Sequence, residues 1–168
     1  MQFFLPDSTA NIAEDNPMAI AIPNKTLIRK FYQEVWNERK VQEASKYLSP
    51  SHALVDPNAS DSTTGPEAYQ TVVARFLRAF SGLKFEVQDM VCEKDKVVAS
   101  WMITGVHTGE YDGVAPTNKK IAVEGISIHQ ISNGKIMDTS SVWDTLGLLK
   151  KIGAVVKVGP GKMKVKGN

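Results

Sequence analysis

The feature that most limits how this chain can fold is a change of hydrophobic period at Leu83. From there Leu83, Phe85 and Val87 alternate with Lys84, Glu86 and Gln88, the period of about two residues that a half-buried strand requires. A polar turn, Glu93-Lys94-Asp95-Lys96, follows, and Val97 to Thr108 reads as a second strand. A third, Lys119 to Ile131, comes after the loop Gly113-Val114-Ala115-Pro116-Thr117-Asn118. The pair Asn133-Gly134 marks a tight hairpin into a fourth strand, Lys135 to Trp143.

Before Leu83 the period is helical, about 3.6 residues. Asn24 is placed to cap a helix reaching Glu38, with Leu27, Ile28, Phe31 and Val35 on one face. Val41 to Leu48 reads as a short second helix, closed by Ser49-Pro50 because the residue before proline disfavours the α region. Residues 51–66 read as loops around at most one short strand. Pro66 suits the first turn of a third helix, whose stripe is Tyr69, Val72, Val73, Phe76, Leu77 and Phe80. A last short helix carries Leu146, Leu148, Leu149 and Ile152 and ends at Gly153. Helices followed by hairpin-joined strands predict an α+β fold. In it a curved antiparallel sheet, an open cone, wraps around the N-terminal helices and can enclose a ligand.

At 168 residues and 42% hydrophobic content the chain suits one domain, read as residues 24–153. Residues 1–23, with Pro6, Pro17 and Pro23, read as a flexible arm. Residues 154–168, with Lys157, Lys162, Lys164 and Lys166 and no acid, read as a flexible basic tail. A formal charge of +2 gives no reason to expect a nucleic-acid partner. No apolar run approaches the roughly 20 residues of a membrane span, and the N-terminus lacks the pattern of an export signal. With Cys92 as the single cysteine, no internal disulfide is possible. The expectation is a cytoplasmic protein without membrane contact. Phosphate-loop, dinucleotide and nucleophile-elbow motifs are missing. His52, His107 and His129 lack metal-ligand spacing, so no metal and no cofactor are expected.

Strand parity selects the candidate site, because residues two apart share a face. Trp101, Ile103, Gly105 and His107 fall together, as do Val123, Gly125, Ser127 and His129; on the last strand Ile136, Asp138, Ser140, Val142 and Asp144 are in phase. If these faces turn toward the helices, His107, His129, Ser127 and Asp144 become the few polar groups of an apolar pocket. Such a pocket favours proton transfer next to a carbonyl, since desolvation raises a carboxyl pKa toward neutrality. Each residue has a structural alternative. Asp144 directly precedes a helix and can be its N-cap, His107 can bond a loop carbonyl, and His129 can be a satisfied core histidine. Asp56 before Pro57 can organise a turn, and Trp101 can be core.

The order of segments resembles the SnoaL-like polyketide cyclase family. The resemblance rests on Asp56-Pro57, Gly65-Pro66-Glu67-Ala68-Tyr69, Gly105-Val106-His107-Thr108-Gly109 and Gly125-Ile126-Ser127-Ile128-His129. It also rests on Asn133-Gly134-Lys135-Ile136 and Trp143-Asp144-Thr145-Leu146-Gly147-Leu148-Leu149. It implies a cystatin-like, nuclear transport factor two-like cone, commonly a homodimer through the sheet. The implied reaction is cofactor-independent ring closure by intramolecular aldol condensation on a small hydrophobic carbonyl compound. Asp144 would be the general acid/base, assisted by His129, while His107, Trp101, Ser127, Ser140 and Asp56 would meet the substrate. Asp138-Thr139-Ser140 departs from the family's acid-then-aromatic pattern. Two other functions fit the same chain: a non-catalytic binder of a hydrophobic metabolite and an accessory subunit working through its sheet face and tails.

Overall fold

The computed structural model describes residues 17–57, 63–159 and 162–165. The first helix, α1, runs Pro17–Tyr32 and continues into a π-helical turn, Gln33–Asn37. It therefore starts a full turn and more before the expected cap: Pro23 and Asn24 lie inside it, and Asn24 instead donates to the Lys94 carbonyl at 3.2 Å. Residues 17–23 of the expected arm are thus helical, and residues 1–16 lie outside the described residues. Ile28, Phe31, Tyr32, Val35 and Trp36 are buried. Asn37 fixes the end of the helix to the sheet with two bonds, accepting from the Phe85 amide at 2.8 Å and donating to the Phe85 carbonyl at 2.9 Å.

A short 3₁₀ turn, Val41–Glu43, and α2, Ala44–Tyr47, lead directly into β1, Leu48–Val55. The one short strand allowed within residues 51–66 is thus present but starts earlier, at Leu48, the expected last residue of the second helix. A two-residue strand β2, Thr63–Thr64, pairs with it, followed by α3, Gly65–Ala79. The α3 stripe buries Tyr69, Val73 and Phe76 as its spacing predicts, while Phe80 already begins β3. The remaining strands are β3, Phe80–Glu93; β4, Lys96–His107; β5, Lys120–Ser132; and β6, Lys135–Trp143. The last helix, α4, spans Thr145–Ile152. Beyond it Val155–Gly159 (β7) pairs antiparallel with Lys162–Val165 (β8), so part of the expected flexible tail is paired strand.

The main sheet has the order β2-β1-β6-β5-β4-β3. Strands β3 to β6 form the expected antiparallel meander, but β1 joins β6 in parallel, which makes the sheet mixed. The core lies between its concave face and α1 and α3. There Tyr32 stacks on Phe85, rings 4.1 Å apart and 14° from parallel, and Trp36 lies 5.2 Å from the same ring.

One irregularity decides which side chains enter that space. Gln130 faces Asp138, whereas Ile131 faces Ile136, so Met137 is an extra residue, a β-bulge. An extra residue reverses the inward and outward faces of everything after it. Ile136 points into the core, yet beyond the bulge Thr139, Ser141 and Trp143 turn inward, while Asp138, Ser140 and Val142 face outward.

Candidate active site

A cavity opens between the concave face of the sheet and the helices, with about 800 Å³ between its walls, open space at the mouth included. Its walls are mainly apolar: Trp36, Leu54, Phe76, Phe85, Ile103 and Val123. Gly125 shapes one side. A side-chain carbon there would run into the Trp101 ring and Trp143, so the missing Cβ lets both indoles close over this strand. All three tryptophans of the chain line the cavity.

The polar groups occur in two places. The first is Asp56, half-buried, the only carboxylate lining the cavity among the described residues. The Trp143 indole N–H donates to its Oδ2 at 2.8 Å. Arg75 also lines the cavity; its exposed guanidinium is paired with Asp112 at 3.3 Å and sits 5.5 Å from the Tyr111 ring centre. The second is a hydroxyl cluster. Trp101 Nε1 donates to Ser127 Oγ at 2.8 Å, and Ser127 and Ser141 share a hydrogen bond of 2.8 Å. The Tyr32 hydroxyl adjoins this cluster.

The expected site residues divide accordingly. Asp56, Trp101 and Ser127 line the cavity. His129 does not: it is fully buried behind Tyr32, whose hydroxyl lies 2.9 Å from its Nε2. Its Nδ1 is 3.0 Å from Thr139 Oγ1, which in turn is 3.0 Å from His52 Nε2. Burial pushes His129 down to about 3 and His52 down to about 4, so both are neutral imidazoles at neutral pH. His107 is also outside the cavity wall. Its Nδ1 meets Thr117 Oγ1 at 3.0 Å, and it closes the end of β4, packed on Phe80. Ser140 is exposed on the opposite face because of the bulge at Met137.

Asp144 requires the largest correction. It is exposed, outside the cavity, and caps α4 by accepting from the Gly147 amide at 2.8 Å. Gly147 leaves room for this, since a Cβ there would overlap the capping carboxylate as it now stands and force it to shift. The expected effect of Asp144→Ala is therefore a loss of about 1 kcal/mol of stability, the usual worth of an N-cap. Urea denaturation would measure it, and ligand binding in the cavity should not change.

Tyr32, Ser141, Trp143 and Arg75 complete the site beyond the sequence expectations. Tyr32 follows Ile28 by one helical turn, so the α1 stripe contained its signal. Ser141 and Trp143 depend on the bulge. Its one trace in the sequence is that Ile136 and Trp143, two large apolar residues, stand at opposite parity on one strand.

No group of three or more His, Cys, Asp or Glu side chains among the described residues is arranged to hold a metal ion, and no described helix is long and apolar enough to cross a membrane. The sequence profile of the SnoaL-like polyketide cyclases matches residues 26–152. Aklanonic acid methyl ester cyclase AcmA of Streptomyces galilaeus is 28% identical over 121 residues, covering 71% of this chain and 84% of that protein. Nogalonic acid methyl ester cyclase of Streptomyces nogalater is 24% identical over 119 residues, 70% of this chain and 89% of that protein. Among solved structures, a SnoaL-like protein from Jannaschia sp. CCS1 superposes with a TM-score of 0.74 at 20% identity, covering 80% of this chain and 94% of that one. TsrD from Streptomyces laurentii gives 0.70 at 24%, covering 79% and 96%. The matched profile spans both helical walls, the whole meander and the cavity between them, and the chain belongs to the SnoaL-like polyketide cyclase family.

Proposed function

We propose that the protein is a cofactor-independent cyclase or isomerase that moves a proton next to a carbonyl of a small hydrophobic, polyketide-like substrate. The observation that carries this reading is Asp56, the one carboxylate among the described residues that lines the apolar cavity, whose wall also carries the Ser127–Ser141 hydroxyl pair. Asp56 takes the role first assigned to Asp144. Its carboxylate removes a proton from the carbon next to a carbonyl, and the C–H electron pair becomes an enolate. For ring closure the enolate carbon attacks a second carbonyl of the same molecule, forming the C–C bond. Asp56 then returns its proton to the new alkoxide, so the step needs no oxidant or co-reactant. Trp143 fixes the carboxylate by holding Oδ2, and the apolar walls exclude water from the enolate. The names of the two Streptomyces relatives, both methyl ester cyclases, agree with such a substrate class.

A second reading is a non-catalytic binder of a hydrophobic metabolite. It is favoured by the scarcity of ionisable groups in the cavity, where the histidines are set back from the wall. The two separate on deuterium incorporation at the α-carbon of a panel of ring ketones and hydrophobic β-diketones. Exchange above the buffer rate supports the enzyme. Tight binding of several members without exchange supports the binder.

The outer face of the sheet fits a homodimer. Val98, Ile126, Ile128 and Val142 are exposed there on three adjacent strands, the last 63% accessible, and an apolar face of this kind marks an interaction surface. Sedimentation equilibrium should give a two-chain species for the wild type and a monomer for Ile126→Lys. A monomeric wild type would contradict it.

A further inference from the structure

The hydrogen-bond chain behind Tyr32 has a direction. Tyr32, His129, Thr139 and His52 are all buried, at 3%, 0%, 3% and 0% exposure, so each polar atom must find its partner within the chain. A neutral imidazole carries one N–H, and a hydroxyl donates once. Among the described residues Thr139 Oγ1 has no hydrogen-bond partner but the two imidazoles, so its one hydrogen goes to one of them and two arrangements are self-consistent. In the first, Tyr32 donates to His129 Nε2, His129 Nδ1–H donates to Thr139, Thr139 donates to His52 Nε2, and His52 keeps its hydrogen on Nδ1. In the second, every bond is reversed: His52 Nε2–H donates to Thr139, Thr139 to His129 Nδ1, and His129 Nε2–H to the Tyr32 oxygen. The Tyr32 hydrogen is then free of His129 and left for the cavity or for Ser127 beside it.

His52 Nδ1 decides between them. It is buried and has no hydrogen-bond partner. The first arrangement leaves a buried N–H unpaired there, and the second leaves only a lone pair. Orphaned buried N–H groups are the rarer of the two in folded proteins, which selects the second arrangement. The hydroxyl cluster has the same polarity. The Trp101 indole is a donor only, so Ser127 accepts from it and passes its own hydrogen onward to Ser141 or Tyr32. Both chains therefore end in hydroxyls on the cavity wall, Tyr32 in one and Ser127 with Ser141 in the other. Burial also raises the Tyr32 pKa well above its usual value, keeping the hydroxyl protonated.

We propose that Tyr32 donates a hydrogen bond to the carbonyl oxygen of the bound substrate. In this assignment His129, Thr139 and His52 are positioning residues that aim its hydrogen into the cavity. The assignment rests on the carbonyl-substrate reading above and adds the group that receives the charge when Asp56 takes the proton. As the enolate forms, negative charge builds on that oxygen, and a donor already aimed there needs no reorganisation. The histidines thus serve the reaction without titrating or touching substrate.

Nitrogen-15 NMR of the imidazoles at neutral pH tests the chain in the unliganded protein. His129 and His52 should both carry hydrogen on Nε2 with Nδ1 bare; Nδ1–H on both overturns the assignment. The donor is tested by the infrared carbonyl band of carbon-13-labelled 2-tetralone bound to wild type and Tyr32→Phe. The band should lie lower in the wild type, and deuterium exchange should fall about a hundredfold in Tyr32→Phe, the worth of one such donor. A band at the same frequency in both proteins overturns the donor. Thr139→Val, which interrupts the chain while keeping its shape, should shift His129 away from a single tautomer and relax part of the band. An unmoved tautomer and band would remove Thr139 and His52 from the assignment. Exchange persisting in Asp56→Asn would sink the base, yet the tautomers and the band would still decide Tyr32 separately.

Discussion

Asp56→Asn should lower the rate of α-carbon deuterium exchange by about 10²–10⁴-fold, the contribution typical of a positioned general base, and leave the fold intact. The substitution is nearly isosteric, and the amide oxygen can still accept the Trp143 indole hydrogen that now reaches Oδ2 at 2.8 Å. The charge and the capacity to take a proton are removed together. Affinity for a neutral ketone should change by no more than a few fold, because the contacts of Trp36, Phe85, Ile103 and Val123 are untouched. Since all three tryptophans line the cavity, quenching of intrinsic fluorescence reads binding in both proteins. Lost exchange together with retained quenching would place the defect in the chemical step.

The second large effect is on stability in mild acid. His129 is held down at about 3 and His52 at about 4, against 6.5 for an ordinary imidazole, and burial is the main cause for both. In an unfolded chain both would protonate near 6.5, so below that pH the unfolded state binds up to two protons that the native state refuses. Stability is therefore fully present above about 6.5 and is lost as pH falls toward the two folded values. The slope reaches about 1.4 kcal/mol per pH unit for each histidine, so several kcal/mol are at stake by the time the native sites titrate. Glu34 and Glu38, whose pKa values are lowered by their hydrogen bonds and whose side chains are at the surface, act only below the usual carboxylate range. The interval from 6.5 to about 5 thus isolates the imidazoles. Urea midpoints measured across it should fall steadily in wild type and less steeply in His52→Gln, with His107, whose pKa burial also lowers, adding to both profiles. A flat wild-type profile would mean that one or both histidines already bind protons in the folded protein.

The parts of the fold that depend on local pattern could be read from the sequence. The α3 stripe from Tyr69 to Phe76, the turn at Glu93 to Lys96 and the Asn133-Gly134 hairpin lie where their residues place them. Strands β4 and β5 pair without interruption, so parity assigned Trp101, Ile103, Ser127 and His129 to the inward face. Parity failed on β6 because it assumes an unbroken register. The bulge at Met137 lies where β6 pairs with β5 on one side and the parallel strand β1 on the other, and the opposite parity of Ile136 and Trp143 is its one local trace. The one-residue shift moved Ser140 and Asp144 out of the cavity and brought Ser141 and Trp143 in. The start of strand β1 escapes the local pattern for a related reason: Ser49-Pro50 reads as the end of a helix, and what makes this stretch a strand is a partner more than eighty residues later, Leu48 facing Ile136. Asp56, expected to meet the substrate, lines the cavity because β1 ends beside Trp143.

The central claim is that the reacting proton belongs to the carboxylate inside the cavity, while the one at the cap of α4 serves only the helix. Deuterium exchange of 2-tetralone measured side by side for wild type, Asp56→Asn and Asp144→Asn compares the two carboxylates directly. Exchange abolished by Asp56→Asn and unchanged by Asp144→Asn is the expected result, since asparagine is as good an N-cap as aspartate. Exchange that survives Asp56→Asn and disappears with Asp144→Asn would contradict the account and return the acid/base role to the end of the last strand.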